Sequence, residues 1–168
     1  MNSIFSLNGI RFFILVLVQV LIFNQINFMG YINPYIYILF IVLYPTKNNR
    51  AVFIFLSFLL GLTIDLFLDT GGIHAAASVF IAYVRPVVLR SSFGVLYENY
   101  AIKFNNVEFG AKLTYITILT LLHHLVLFYL EIFSISKIIL VLQKTLFSSI
   151  FTILLIILIT IIFSRKTR

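Results

Sequence analysis

The chain has 168 residues, of which 62% are hydrophobic and only 10% charged, with a formal net charge of +7. Soluble domains carry about 25% charged residues, and a chain this apolar would expose aggregating patches in water, so the composition places it in a lipid bilayer. With no cysteine, disulfides and thiolate metal sites are excluded. The basic excess sits mostly between apolar runs, which argues against a nucleic-acid partner.

A helix that crosses the hydrocarbon core needs about 20 apolar residues. The first such run is expected at residues 10–28. No small-residue cleavage site follows it before Asn27, so it reads as a retained span rather than a signal peptide. The second, 34–45, is PYIYILFIVLYP and is short for a crossing. The third is 51–68. Asp69-Thr70-Gly71-Gly72 then makes a tight turn in which the glycines are free to take positive φ. The fourth span is 73–89, with a small face at Ala75, Ala76, Ala77 and Ser78 where another helix can approach closely. A cytoplasmic loop is expected over 90–112, either docking a cytoplasmic partner through Glu98, Glu108 and its aromatics or serving as a linker whose Phe and Tyr rest on headgroups. The fifth and sixth spans are 113–133 and 137–163, before a basic tail. Uniformly apolar segments favour helices over a transmembrane barrel, which would alternate.

The count turns on the second run. With six spans and the N-terminus inside, the cytoplasmic side holds Arg11, Lys47, Arg50, Arg90, Lys103, Lys112, Arg165, Lys166 and Arg168, and the outer loops hold only Lys137. Five spans would reverse that asymmetry, against the tendency of Lys and Arg to stay cytoplasmic. The expected fold is therefore a single all-α transmembrane domain of six helices with both ends in the cytoplasm.

Ionisable residues inside spans raise a functional question by default. Asp65 and Asp69 lie one turn apart, on one face of a helix, and His74 opens the next helix. These three are expected to gather at the outer end, either as a proton relay, ion site or docking point, or as a network satisfying loose helix ends; the second reading is the simpler. Arg85 lies about 20 Å below the outer turn at ~1.5 Å per residue, too far to pair with Asp65. Arg85 and Arg90 are expected to reach the lipid headgroups. His123 and His124 point about 100° apart and cannot both chelate one metal; a hydrogen bond to a neighbouring helix is expected. Lys144, about two turns into the last span, faces either a polar interior or the interface. No nucleophile–base pair, phosphate loop or metal-ligand cluster is present, so neither a cofactor nor a metal is expected.

Four stretches carry a resemblance: LVQVLIFN with the following NPYIYILFIVLYP, then GLTIDLFLDTGGIHAAASVFIAYVRPVVLR, then LHHLVLFYLEIF, then the basic stop after a long last helix. The GL-x-x-D, the GIHA after the turn and the Arg-Pro are the most specific. Together they cover nearly the whole chain, which resembles the MreD family of bacterial rod-shape-determining membrane proteins, in the form found in Bacteroidota. The resemblance implies a fold similar to the substrate-binding subunits of energy-coupling-factor vitamin transporters. It also implies a non-enzymatic scaffold in the bacterial inner membrane. Such a scaffold binds the single-pass protein MreC and, through it, links the MreB filament to the RodA glycosyltransferase and its penicillin-binding transpeptidase partner. Two other readings compete: a vitamin-transporter subunit with an outer pocket near Asp65, Asp69 and His74, and a lipid-processing enzyme using His123, His124 or the two aspartates. The first would need several convergent polar groups; the residues for the second are expected at different depths.

Overall fold

In the computed structural model of the chain, residues 2–26, 32–46, 49–94 and 107–163 are described, the side chains from residue 8 onward. The basic tail from Arg165, the Asn27–Gly30 turn, Lys47 and the middle of the expected cytoplasmic loop, 95–106, lie outside them.

Helices make up most of the described residues. The first runs as α1 (Asn2–Val18), a π-helical turn (Gln19–Phe23) and a short continuation, α2 (Asn24–Ile26). After it come α3 (Ile38–Leu43), α4 (Arg50–Leu68), α5 (Ile73–Phe93), α6 (Phe109–Ile132), a 3₁₀ turn (Ile135–Lys137) and α7 (Ile138–Ile162). Five of these stretches are long and apolar enough to cross a membrane: Asn8–Ile26, Arg50–Leu68, Ile73–Phe93, Phe109–Ile132 and Ile135–Ile162. The chain has the make-up of a multi-pass, all-α membrane protein. Large apolar side chains such as Phe13, Leu21, Phe55, Leu66, Val87, Leu146 and Leu158 stand exposed on its outside, where lipid rather than water suits them.

The second expected span is the one that differs. Only Ile38–Leu43 is helical there, and the backbone of Asn33–Tyr35 is irregular. Pro34 and Pro45 bracket the run, and each biases the residue before it away from helix. Yet this segment is the core of the molecule, with Tyr35 to Val42 all buried. It runs alongside α5: the Tyr35 ring packs on His74 at 5.6 Å, and the Tyr44 carbonyl accepts from Arg85. Those two α5 residues are about 16 Å apart along the helix, so the segment descends about half of a ~30 Å bilayer core without being a spanning helix.

Around it, α4, α5, α6 and α7 pack in succession, each on the next, and α1 packs on α3 and α4. Cross-contacts fix the directions. Phe12 meets Phe40 while Gln19 meets Pro34 and Tyr37, so α1 runs against the central segment. Arg85 bonds Tyr115 while His124 sits by Tyr35 near His74, so α6 runs against α5.

Two ends are capped by identifiable chemistry. The Asn49 side chain accepts from the Ala51 amide at 2.8 Å and opens α4. At the other end α4 stops at Asp69 in the left-handed region (φ 55°), and Gly71 and Gly72 turn the chain with φ 65° and 95°. The α4–α5 hairpin closes tightly because of Gly61: a Cβ there would lie 2.4 Å from the His74 carbonyl oxygen. Ala75, Ala77 and Ser78 are buried inside this chain, and of the expected small face only Ala76 looks outward. That face is therefore spent on the protein's own helices.

Candidate functional site

Backbone N–H and C=O groups inside a bilayer have no water to bond, so an irregular segment at membrane depth must be satisfied by side chains. The polar residues of this chain do that. Gln19, placed by the π turn of the first helix, donates through Nε2 to the Pro34 carbonyl (3.1 Å) and to Asn24 Oδ1 (2.9 Å), and its Oε1 accepts from the Tyr37 amide at 3.4 Å. Thr152 Oγ1 accepts from the Tyr35 amide at 3.0 Å. At the lower end of the segment, Tyr115 donates to the Val42 carbonyl (3.1 Å) and accepts from Arg85 Nε (2.7 Å), while Arg85 Nη2 donates to the Val42 and Tyr44 carbonyls.

Arg85 is thus a correction. It is 3% exposed, and its guanidinium lies 5.0 Å from the centre of the Phe53 ring rather than at the headgroups. The last carbonyls of a short helix are free acceptors carrying partial negative charge, and two of them take the place of a carboxylate. Arg85 lies too far along α5 to reach Asp65, and the interior offers it other acceptors. Arg90 is exposed in the last turn of α5.

Asp65 acts on the next helix. Its Oδ1 accepts from the His74 amide and its Oδ2 from the Ala75 amide, at 3.0 and 2.8 Å. These are the second and third residues of α5, the amides an N-cap side chain ordinarily serves; Gly72, at the cap itself, has no side chain to offer. Oδ1 also accepts from the Thr70 hydroxyl and from His74 Nδ1 at 3.0 Å. Asp69 does not join this cluster: α4 has ended, the left-handed turn takes it out of register with Asp65, and its side chain is exposed.

The three histidines, the whole complement of the chain, converge on Tyr35 and Tyr37. Tyr35 is in ring contact with His74, His123 and His124 at 5.6, 6.4 and 5.3 Å. The Tyr37 hydroxyl bonds His123 Nε2 at 2.8 Å, and His124 Nδ1 donates to the Thr120 carbonyl at 2.7 Å, leaving Nε2 facing Thr152 at 3.3 Å. Among the described residues no group of three or more His, Asp or Glu side chains is arranged to hold a metal ion. Tyr35 and Tyr37 thus stand between His74 on α5, which is bonded to Asp65, and His123 and His124 on α6. Lys144 pairs with Glu131 at 2.7 Å and lies over the Phe128 ring, so its charge stays beside a carboxylate at the surface.

Gln19, Tyr35, Tyr37, Tyr115 and Thr152 were not singled out from the sequence. A lone amide in an apolar run, and the polar stripe Thr145, Ser148, Ser149, Thr152 at helical spacing, were the available signs. No family model matches the chain, and no curated protein or solved structure does either.

Proposed function

We propose that the chain is a non-enzymatic scaffold of the MreD type in a bacterial inner membrane. It binds an MreC-like single-pass protein and, through it, places the peptidoglycan synthases of cell elongation relative to MreB, RodA and a penicillin-binding transpeptidase. The observation that carries this reading is where the polar residues point. Asp65, His74, Arg85, His123 and His124, the residues on which the resemblance to that family rests, bond within the chain's own core. What the chain presents to the bilayer is helix faces, the surfaces with which membrane proteins bind one another.

The proposed topology puts both ends in the cytoplasm. The central segment 32–46 serves as the second of six passes, so that Arg11, Arg50, Arg90 and Lys112 share the inner side and Lys137 lies outside. The vitamin-transporter alternative calls for convergent polar groups around an open pocket. The groove between α4 and α5 is walled by apolar side chains such as Phe58, Leu62 and Phe80, which favours the scaffold.

Co-expression with the MreC-like protein tests the proposal: the two chains are expected to purify as one complex from mild detergent. Two folded, monodisperse proteins that stay apart on size exclusion would reject it. Depletion in the cell is expected to turn rods into spheres without removing any lipid-modifying activity.

A further inference from the structure

A groove of about 590 Å³ runs down the outside of the α4–α5 hairpin. Its walls are Phe58 and Leu62 on α4 and Ala76, Val79, Phe80 and Tyr83 on α5. From Gly72, at its upper end, to Tyr83 it is about 16 Å long at ~1.5 Å per residue. All of the walls are apolar apart from the phenol edge of Tyr83, and they stay open because Ala76 offers only a methyl group where its neighbours carry rings.

Charge is distributed unequally over the two ends. At the lower end the Arg50 guanidinium lies 5.1 Å from the centre of the Tyr83 ring and donates through Nη2 to the Tyr83 carbonyl at 3.2 Å. Arg50 is exposed, and a guanidinium has five N–H donors in a fixed fork, so the bond to the Tyr83 carbonyl leaves donors for a second acceptor. At the upper end the exposed acidic side chain is Asp69. The groove therefore complements a molecule with an anionic group at one end and an apolar chain of bilayer-leaflet length behind it.

We propose that this groove binds one anionic phospholipid, its phosphate on Arg50 and an acyl chain lying along Val79 and Ala76 toward Gly72. Charge and polarity select this occupant: the exposed Arg50 guanidinium at the lower end calls for an anionic head, and the apolar walls above it call for a hydrocarbon chain. Orientation follows from the ends, since a phosphate beside Asp69 would be repelled and one beside Arg50 is held by charge-assisted bonds. The inference concerns the lipid alone and stands apart from the MreC-like partner.

The test uses the full-length protein in nanodiscs of defined composition, followed by native mass spectrometry of the released protein. From mixed phosphatidylglycerol and phosphatidylcholine, the wild type is expected to retain a single phosphatidylglycerol, preferred about tenfold. Arg50→Gln should bring that preference close to parity. Ala76→Phe fills the groove and should remove the retained lipid altogether. Val79→Phe, a second filling substitution, guards against a folding effect of the first, and circular dichroism should be unchanged in all three. Retention that survives both filling variants, or no retained lipid in the wild type, overturns the proposal. So does loss of a single-span partner in Ala76→Phe with lipid retention intact, which would make the groove a helix contact.

Discussion

Gly61 has no room for a side chain. A Cβ would meet the His74 carbonyl oxygen at 2.4 Å and the Ala75 Cα at 2.5 Å, both backbone atoms that move only if α4 and α5 separate. Gly61→Ala should cost about 1–3 kcal/mol, read as a lower thermal midpoint in detergent, although Ala is the better helix former. Asp65 is the other single residue on which the hairpin depends. Asp65→Asn keeps one acceptor oxygen but turns an amide donor toward the α5 amides, so a loss of roughly 1–3 kcal/mol is expected. Asp69→Asn, at an exposed position where Asn also tolerates the left-handed backbone, should leave the midpoint unchanged. A matching loss at Asp69 would contradict the separation of the two carboxylates. The sequence placed both aspartates near the turn; it could not show that the helix ends between them, because that depends on the αL backbone at Asp69.

The central segment gives the element scale its own problem. Five of the six residues of α3 are buried among the long helices, and the free carbonyls and amides of the segment are bonded by Gln19, Thr152, Tyr115 and Arg85. Hydrogen exchange should therefore protect the amides of Tyr35 and Tyr37 as strongly as those of α5, despite the missing helix; fast exchange there would show that the segment opens. Arg85→Met removes the donor to the Tyr44 carbonyl and should cost about 1–3 kcal/mol for that orphaned group. Arg85→Lys, a point charge without the planar fork, should recover only part of it. Hydropathy reported an apolar run at 34–45 correctly. The two prolines hinted that it is not a simple helix, but only the neighbours' side chains explain how it stays buried.

At the scale of the whole molecule, the alternating directions of α1, the central segment, α4, α5, α6 and α7 bring the start of α1 and the end of α7 to the same end of the bundle. The proposed topology makes that end cytoplasmic. Because the chain has no cysteine, single cysteines at Asn8, Gly71 and Phe163 can be labelled one at a time in intact cells. Gly71→Cys, on the strained turn, is read together with Ser136→Cys in the next outer loop. Labelling by an impermeant maleimide is expected at residues 71 and 136 and not at 8 or 163. Opposite behaviour of 8 and 163 would mean that the central segment turns back.

The sequence by itself determined that the chain has the make-up of a membrane protein, and it marked the apolar runs in which five long helices lie. Both follow from local quantities, the run length of apolar residues and the Gly-rich turn. It could also say that Asp65, His74, Arg85, His123 and His124 were too costly to be incidental. Their partners it could not supply. Arg85 bonds carbonyls of a segment more than 40 residues away, and His123 bonds a tyrosine 86 residues away. Such pairings depend on which helix faces meet once the bundle closes, and an acceptor as plain as a backbone carbonyl leaves no mark in the sequence. Only the tertiary structure decided that these groups hold a broken element in the core, leaving Arg50 and the groove above it to face the lipid.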